Sequence, residues 1–181
     1  AIGGIDNALW DIKGKAANMP VFRLLGGETS EVPVYATGGY LKKGASITAC
    51  ASELGNFIDQ GYRAVKLKVG HHTMEEEIKR VSATRDAIGN AMLMLDMNAC
   101  YDLNECIRFA KAVEPFDLTW LEEPLHWYLQ PADFAKLAEA TSIPLAHGER
   151  LYDRFTARDF IVNGGIKFIQ MDSTRHSGIT E

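Results

Sequence analysis

Two hydrophobic periods alternate along this 181-residue chain. Short apolar runs occur at Val32–Ala36, Ala64–Val69, Met92–Leu95, Thr119–Leu121, Ile143–Ala146 and Lys167–Met171. Between them apolar residues recur at helical spacing: Ile47, Ala51, Leu54 and Ile58; Met74, Ile78, Val81 and Ile88; Ile107, Ala110 and Val113; Phe134, Leu137 and Ala138; Phe155, Phe160 and Ile161. Short runs read as buried strands and 3.6-period stretches as helices packed on them. The result is a βα unit repeated six times, which means a parallel sheet, doubly wound or closed into a barrel. Ahead of it, Ile5, Ala8, Leu9 and Ile12 share one face of a helix expected over Ile2–Ala17, with Gly26-Gly27 as a stop signal beyond.

Polar residues choose between the two sheets. Asp96, Glu122, Glu149 and Asp172 each follow the apolar part of a strand, and Lys66 and Lys68 lie on the second strand in the same sense. An open sheet gathers its site at one switch point, whereas a barrel aims successive strands at one mouth. Polar residues on five successive strands favour a (β/α)8 barrel. About six of its βα units are expected here, with the last strands missing. The chain opens inside a helix without a cap and stops at Glu181 where another helix starts, so it is expected to be part of a longer protein. Residues 1–31 read as a helix and loop leading into the barrel, and residues 32–181 as the partial barrel itself.

Composition narrows the partners. Apolar residues make up 46% and charged residues 24%, with a net charge of −5 and both signs mixed along the chain. That balance argues against nucleic acid or an anionic membrane surface as the main partner. No apolar run approaches the roughly 20 residues that span a bilayer. Cys50, Cys100 and Cys106 form no CxxC pair, so reduced thiols and a cytoplasmic protein are expected.

The chemistry is carried by charged residues at strand ends. Lys66 and Lys68, two apart on a strand, point to one face, and their apolar neighbours Val65 and Leu67 to the other. Two ammonium groups that close are expected to depress each other's pKa, and burial to depress both further, which suits a general base near neutral pH. Glu122 follows Asp96 by 26 residues and Glu149 follows Glu122 by 27, one βα unit each. Three carboxylates converging on one mouth repel unless a cation joins them, and an all-oxygen set suits a hard ion such as Mg²⁺. Asn98 and Glu123 are expected beside the ligands in supporting roles. A solvated strand for the lysines and isolated caps for the carboxylates are the plain alternatives.

These residues carry a family resemblance. Leu9-Trp10-Asp11-Ile12-Lys13-Gly14-Lys15, Pro20 and Leu24-Leu25-Gly26-Gly27 resemble the lead-in to the barrel of the enolase superfamily, mandelate racemase subgroup. The KxK of Lys66 and Lys68, Asp96 with Asn98, Glu122-Glu123-Pro124 and Gly148-Glu149-Arg150 match that subgroup in order and spacing. The resemblance implies Asp96, Glu122 and Glu149 as Mg²⁺ ligands, Lys68 as base, and Lys66 tuning it and contacting the substrate carboxylate. It implies that Asp172 orients a catalytic His placed after a seventh strand, a position that neither His147 nor His176 occupies. For His176 a solvated or loop-packing role is expected. His147, Asn98, Glu123 and Arg175 are candidate substrate contacts. The subgroup's amino-terminal capping domain is expected to be missing here.

Gly148–Tyr152 and Gln170–His176 look most like acid-sugar and hydroxy-acid dehydratases, with a tartrate-like substrate. The implied enzyme is a hydro-lyase for a small-molecule carboxylate, homo-oligomeric in full length. A racemase or epimerase, and a non-catalytic paralogue, are the alternatives.

Overall fold

A computed structural model describes residues 2–40 and 46–181. The chain divides into two compact units: Ala1–Pro33, Gly148–Arg158 and Gln170–Glu181 form the smaller, Val34–His147 and Asp159–Ile169 the larger.

In the smaller unit, helix α1 (Ile2–Ala16) is followed by the short helix α2 (Val21–Leu24). The chain leaves α1 through Asn18, in the left-handed region at φ 49°. The amide of Met19 donates to the Gly14 carbonyl at 2.9 Å, so α1 stops well before Gly26. Its packed face is the polar one. Gly3 lies against the carbonyls of Ser173 and His176, where any Cβ would collide. Asn7 Nδ2 donates to Ser173 Oγ at 3.2 Å, Trp10 Nε1 to Thr180 Oγ1 at 2.8 Å, and the Thr180 amide to Asp6 Oδ2 at 2.9 Å. Residues 3, 6, 7 and 10 thus form the contact stripe, and Ile5, Leu9 and Ile12 on the opposite stripe are exposed.

The larger unit holds one sheet of six parallel strands in chain order: β1 (Ala36–Gly38), β2 (Ala64–Lys68), β3 (Met92–Asp96), β4 (Leu118–Glu122), β5 (Leu145–His147) and β6 (Ile166–Ile169). The order never reverses, so the sheet has no switch point of the doubly wound kind. It is six consecutive strands of a (β/α)8 barrel. β1 starts later than the apolar run at Val32 predicts. Val32 and Val34 are exposed, and Pro33 between them offers no N–H to a ladder.

Helices α3 (Ile47–Asp59), α4 (Met74–Ile88), α5 (Leu103–Val113) and α6 (Pro131–Ala140) connect the strands, and α7 (Arg154–Asn163) precedes β6. Local sequence sets their limits. Thr73 with Glu76 and Asp102 with Glu105 form capping boxes that satisfy the first amides of α4 and α5. Pro131 sits in the first turn of α6, where a missing N–H costs nothing. On α5, Cys106, Phe109, Ala110 and Val113 are buried, the i, i+3, i+4, i+7 stripe that packs on a sheet. All three cysteines are unpaired. Among the described residues no helix is long and apolar enough to cross a membrane.

Candidate functional site

The carboxyl ends of β2, β3 and β4 carry the site of the larger unit. The register pairs Lys68 with Asp96 and Asp96 with Glu122, which places the three at one level of the sheet. One layer below, Lys66 pairs with Met94 and Met94 with Trp120. The ladder continues past the strand ends: the amide of Val69 donates to the Asp96 carbonyl, Met97 to Glu122, and Glu123 to Ala146, at 2.9 to 3.0 Å. Directly after the two carboxylates the backbone turns left-handed, at Asn98 (φ 42°), Ala99 (φ 62°) and Glu123 (φ 42°). Such conformations cost roughly 1–3 kcal/mol each and cluster at functional sites.

Within this frame the charges pair closely. Lys66 Nζ donates to Glu122 Oε1 at 2.6 Å and lies 3.5 Å from Asp96 Oδ2. Lys68 Nζ donates to Asp96 Oδ2 and to Asn98 Oδ1, the latter at 3.0 Å. The amide of Asn98 donates to Asp96 Oδ1 at 3.0 Å. Lys66, Asp96, Glu122 and Glu123 are buried. Tyr35 closes one side, its hydroxyl 3.4 Å from Lys66 Nζ, and the Tyr40 ring lies under Lys68 Nζ. The expected lysine depression is not found at Lys66. Burial pulls its pKa down, but the hydrogen bond and charge of Glu122 and the charge of Asp96 outweigh it, and the group is held above the ordinary lysine range. Each lysine thus has a carboxylate partner, Glu122 and Asp96 for Lys66 and Asp96 for Lys68.

The donor set fits a hard cation. Two buried carboxylates on adjacent strands demand positive charge, which the Lys66 ammonium, near both, and the Lys68 ammonium at Asp96 supply. Asp96 and Glu122 supply only oxygen donors. Among the described residues no group of three His, Cys, Asp or Glu side chains is gathered as a metal site.

Glu149, Asp172 and Arg175 belong to the smaller unit. Arg175 joins the other two, with Nη2 3.4 Å from Glu149 Oε1 and Nε 3.5 Å from Asp172 Oδ2. Asp172 Oδ1 accepts from the Thr174 hydroxyl and amide at 2.7 and 2.8 Å, which lowers its pKa. His176 is buried, with Nε2 3.2 Å from the Gly148 carbonyl, a loop-packing position.

His147 lies apart from the lysine–carboxylate cluster. Ala146 pairs with Glu122, so strand alternation turns His147 to the opposite face. There its ring stacks between Phe134 and Phe160 at 4.5 and 4.6 Å. Neither ring nitrogen has a hydrogen-bond partner among the described residues, and burial lowers the pKa to about 4. Three residues at the cluster escaped the sequence reading, Tyr35, Tyr40 and Trp120. Trp120 had a usable signal, since it stands two before Glu122 on the same strand face.

Six consecutive parallel strands with lysines and carboxylates paired at their carboxyl ends define the class of fold and site. The chain belongs to the enolase superfamily, in its mandelate racemase and muconate lactonizing enzyme branch. Residues 49–181 match the enolase C-terminal domain-like family, and residues 1–26 the mandelate racemase / muconate lactonizing enzyme N-terminal domain. It is 32% identical over 182 residues to arabinonate dehydratase of Saccharolobus solfataricus, covering 99% of this chain and 48% of the relative. The solved 3,6-anhydro-D-galactonate cycloisomerase from Zobellia galactanivorans superposes with a TM-score of 0.91 at 37% identity, covering 100% of this chain and 50% of that one. A racemase from Streptomyces coelicolor A3(2), solved with bound magnesium, gives a TM-score of 0.91 at 32% identity, covering 99% and 50%. The chain thus spans about half the length of the curated relatives it matches.

Proposed function

We propose that the protein is a magnesium-dependent hydro-lyase for an acid sugar or hydroxy acid. It removes the proton α to a carboxylate and eliminates water to leave a 2-keto acid. The observation that carries this reading is the alignment of Lys68, Asp96 and Glu122 at one level of adjacent strand ends, with Lys66 bonded to Glu122 beneath. Its finest form is a tartrate-like substrate, as in D-tartrate dehydratase, and it rests on the residues around Gly148 and Gln170 alone.

Asp96, Glu122 and Glu149 would hold the magnesium, which when bound supplies Lewis-acid stabilisation of an enediolate. Lys68 takes the α-proton: the C–H bond breaks, the proton moves to Nζ, and the electron pair enters the enediolate. Lys68 must reach this step as the free amine, released from Asp96. Lys66 keeps its ammonium and offers charge to the substrate carboxylate. Asn98 holds the Lys68 amine through Oδ1. The bond to the β-hydroxyl then breaks, the oxygen leaves as water with a proton from a general acid, and the enol becomes the 2-keto acid. Asp172, linked to Glu149 through Arg175, would orient a catalytic His supplied from outside these residues.

The likeness to a solved racemase favours a second reading, in which the enediolate is reprotonated on its other face. One experiment separates the two. The full-length protein, incubated with acid sugars and hydroxy acids in D₂O, should release a 2-keto acid. Deuterium at the α-carbon without keto acid would establish the racemase or epimerase. Neither signal across the library, with the fold intact and magnesium bound, would leave the non-catalytic paralogue.

A further inference from the structure

Trp120 and Glu122 leave the same face of β4, one layer apart. The Trp120 ring stands edge-on to Tyr35, centroids 5.7 Å apart at 77°, and packs against Phe168 at 4.9 Å. An indole has one N–H and no acceptor, so it serves a single hydrogen bond. Nε1 donates to Glu122 Oε2 at 3.1 Å, while Lys66 donates to Oε1 at 2.6 Å. Each carboxylate oxygen therefore has its own donor, and rotation of the carboxylate breaks both bonds. The two donors differ in stiffness. The lysine stem has four rotatable bonds and follows a moving partner. The indole is a planar ring in contact with Tyr35 and Phe168 and has fewer rotatable bonds with which to follow.

We propose that Trp120 is a positioning residue for Glu122, its N–H fixing the plane in which the carboxylate meets a divalent cation. The inference rests on the reading of Glu122 as a magnesium ligand. Outer partners of ligating groups carry about 10- to 100-fold in metal affinity, and the contacts with Tyr35 and Phe168 orient this one.

Trp120→Phe in the full-length protein keeps a ring against Tyr35 and Phe168 and removes the N–H. Calorimetric titration with Mg²⁺ should show binding about tenfold weaker or more, in metal-free protein that still unfolds cooperatively. Replacing the indole by benzothiophene, which keeps the shape and lacks the N–H, should give the same loss even where phenylalanine disturbs the fold. In metal-free protein labelled with ¹⁵N-tryptophan, the indole resonance that vanishes in Trp120→Phe should move in Glu122→Gln. Unchanged Mg²⁺ affinity without the N–H, alongside lost affinity in Glu122→Gln, would overturn the positioning role and leave the magnesium reading standing. Unchanged affinity in Glu122→Gln as well would overturn both.

Discussion

Glu77 on α4 offers a quantitative test of what holds the loop behind Lys68. Its Oε1 accepts the amides of Gly70, His71 and His72 at 2.8, 2.9 and 3.0 Å. Its Oε2 accepts from Arg80 Nη1 at 2.6 Å, and Arg80 Nη2 donates to the Gly39 carbonyl at 2.6 Å. One buried ion pair therefore clamps the segments that follow β1 and β2. Position 70 itself requires glycine, since its φ is +101° and a Cβ would strike Cys100 Sγ. Glu77 is 0% and Arg80 4% exposed. Glu77→Gln keeps the shape and one acceptor oxygen but removes the charge. It weakens three charge-assisted hydrogen bonds and leaves the Arg80 guanidinium buried without a counter-ion. Breaking a buried pair from one side costs about 3–5 kcal/mol, a large part of the roughly 5–15 kcal/mol that holds a protein folded. Urea denaturation should therefore show a stability loss of about 4 kcal/mol. Adding Arg80→Met to Glu77→Gln should recover part of it, since the stranded cation is then gone. Glu75–Lys79 has a similar length, 2.7 Å, on the exposed side of the same helix, and Glu75→Gln should leave the midpoint where it was. A Glu77→Gln protein within about 1 kcal/mol of wild type would refute the clamp.

Other outcomes follow from the site and the core. Lys68→Met should preserve the fold while slowing α-proton exchange with D₂O about 10²- to 10⁴-fold; exchange at the wild-type rate would remove Lys68 as the base. Chelator should abolish activity and Mg²⁺ restore it, and activity that survives excess chelator would remove the metal from the chemistry. His147, with a folded pKa of about 4 against 6.5, takes up its proton more readily in the unfolded chain. Its neutral form therefore supports stability fully above pH ~6.5, and up to about 3 kcal/mol is lost as pH falls toward 4. His147→Phe should flatten that part of the profile, and parallel wild-type and variant profiles between pH 7 and 4.5 would count against it.

What the sequence alone determined is local and periodic. Short apolar runs bounded by helical stripes revealed a six-fold βα repeat, because strand and helix impose different periods on whatever they bury. Acidic residues just past those runs marked strand ends, since a parallel strand buried on both faces admits charge only at its ends or in its interior cluster. Lys66 and Lys68 on one face followed from the two-residue pleat. Everything that depends on which residue stands across from which was left to the tertiary structure. Pairing Lys66 with Glu122 and Asp96 raised its pKa where the lysine spacing alone predicted a fall. His147 turned from the mouth to the helix layer because register put Ala146, not its neighbour, opposite Glu122. The first strand moved beyond Val34 because Pro33 breaks the ladder there, and α1 packed through its polar stripe because the partners of Asp6, Asn7 and Trp10 lie about 170 residues away. Trp120 and Glu77 stayed hidden for the same reason. Hydrogen bonds and ion pairs are made between atoms a few ångströms apart, and distance in space is the one quantity that a linear pattern does not carry.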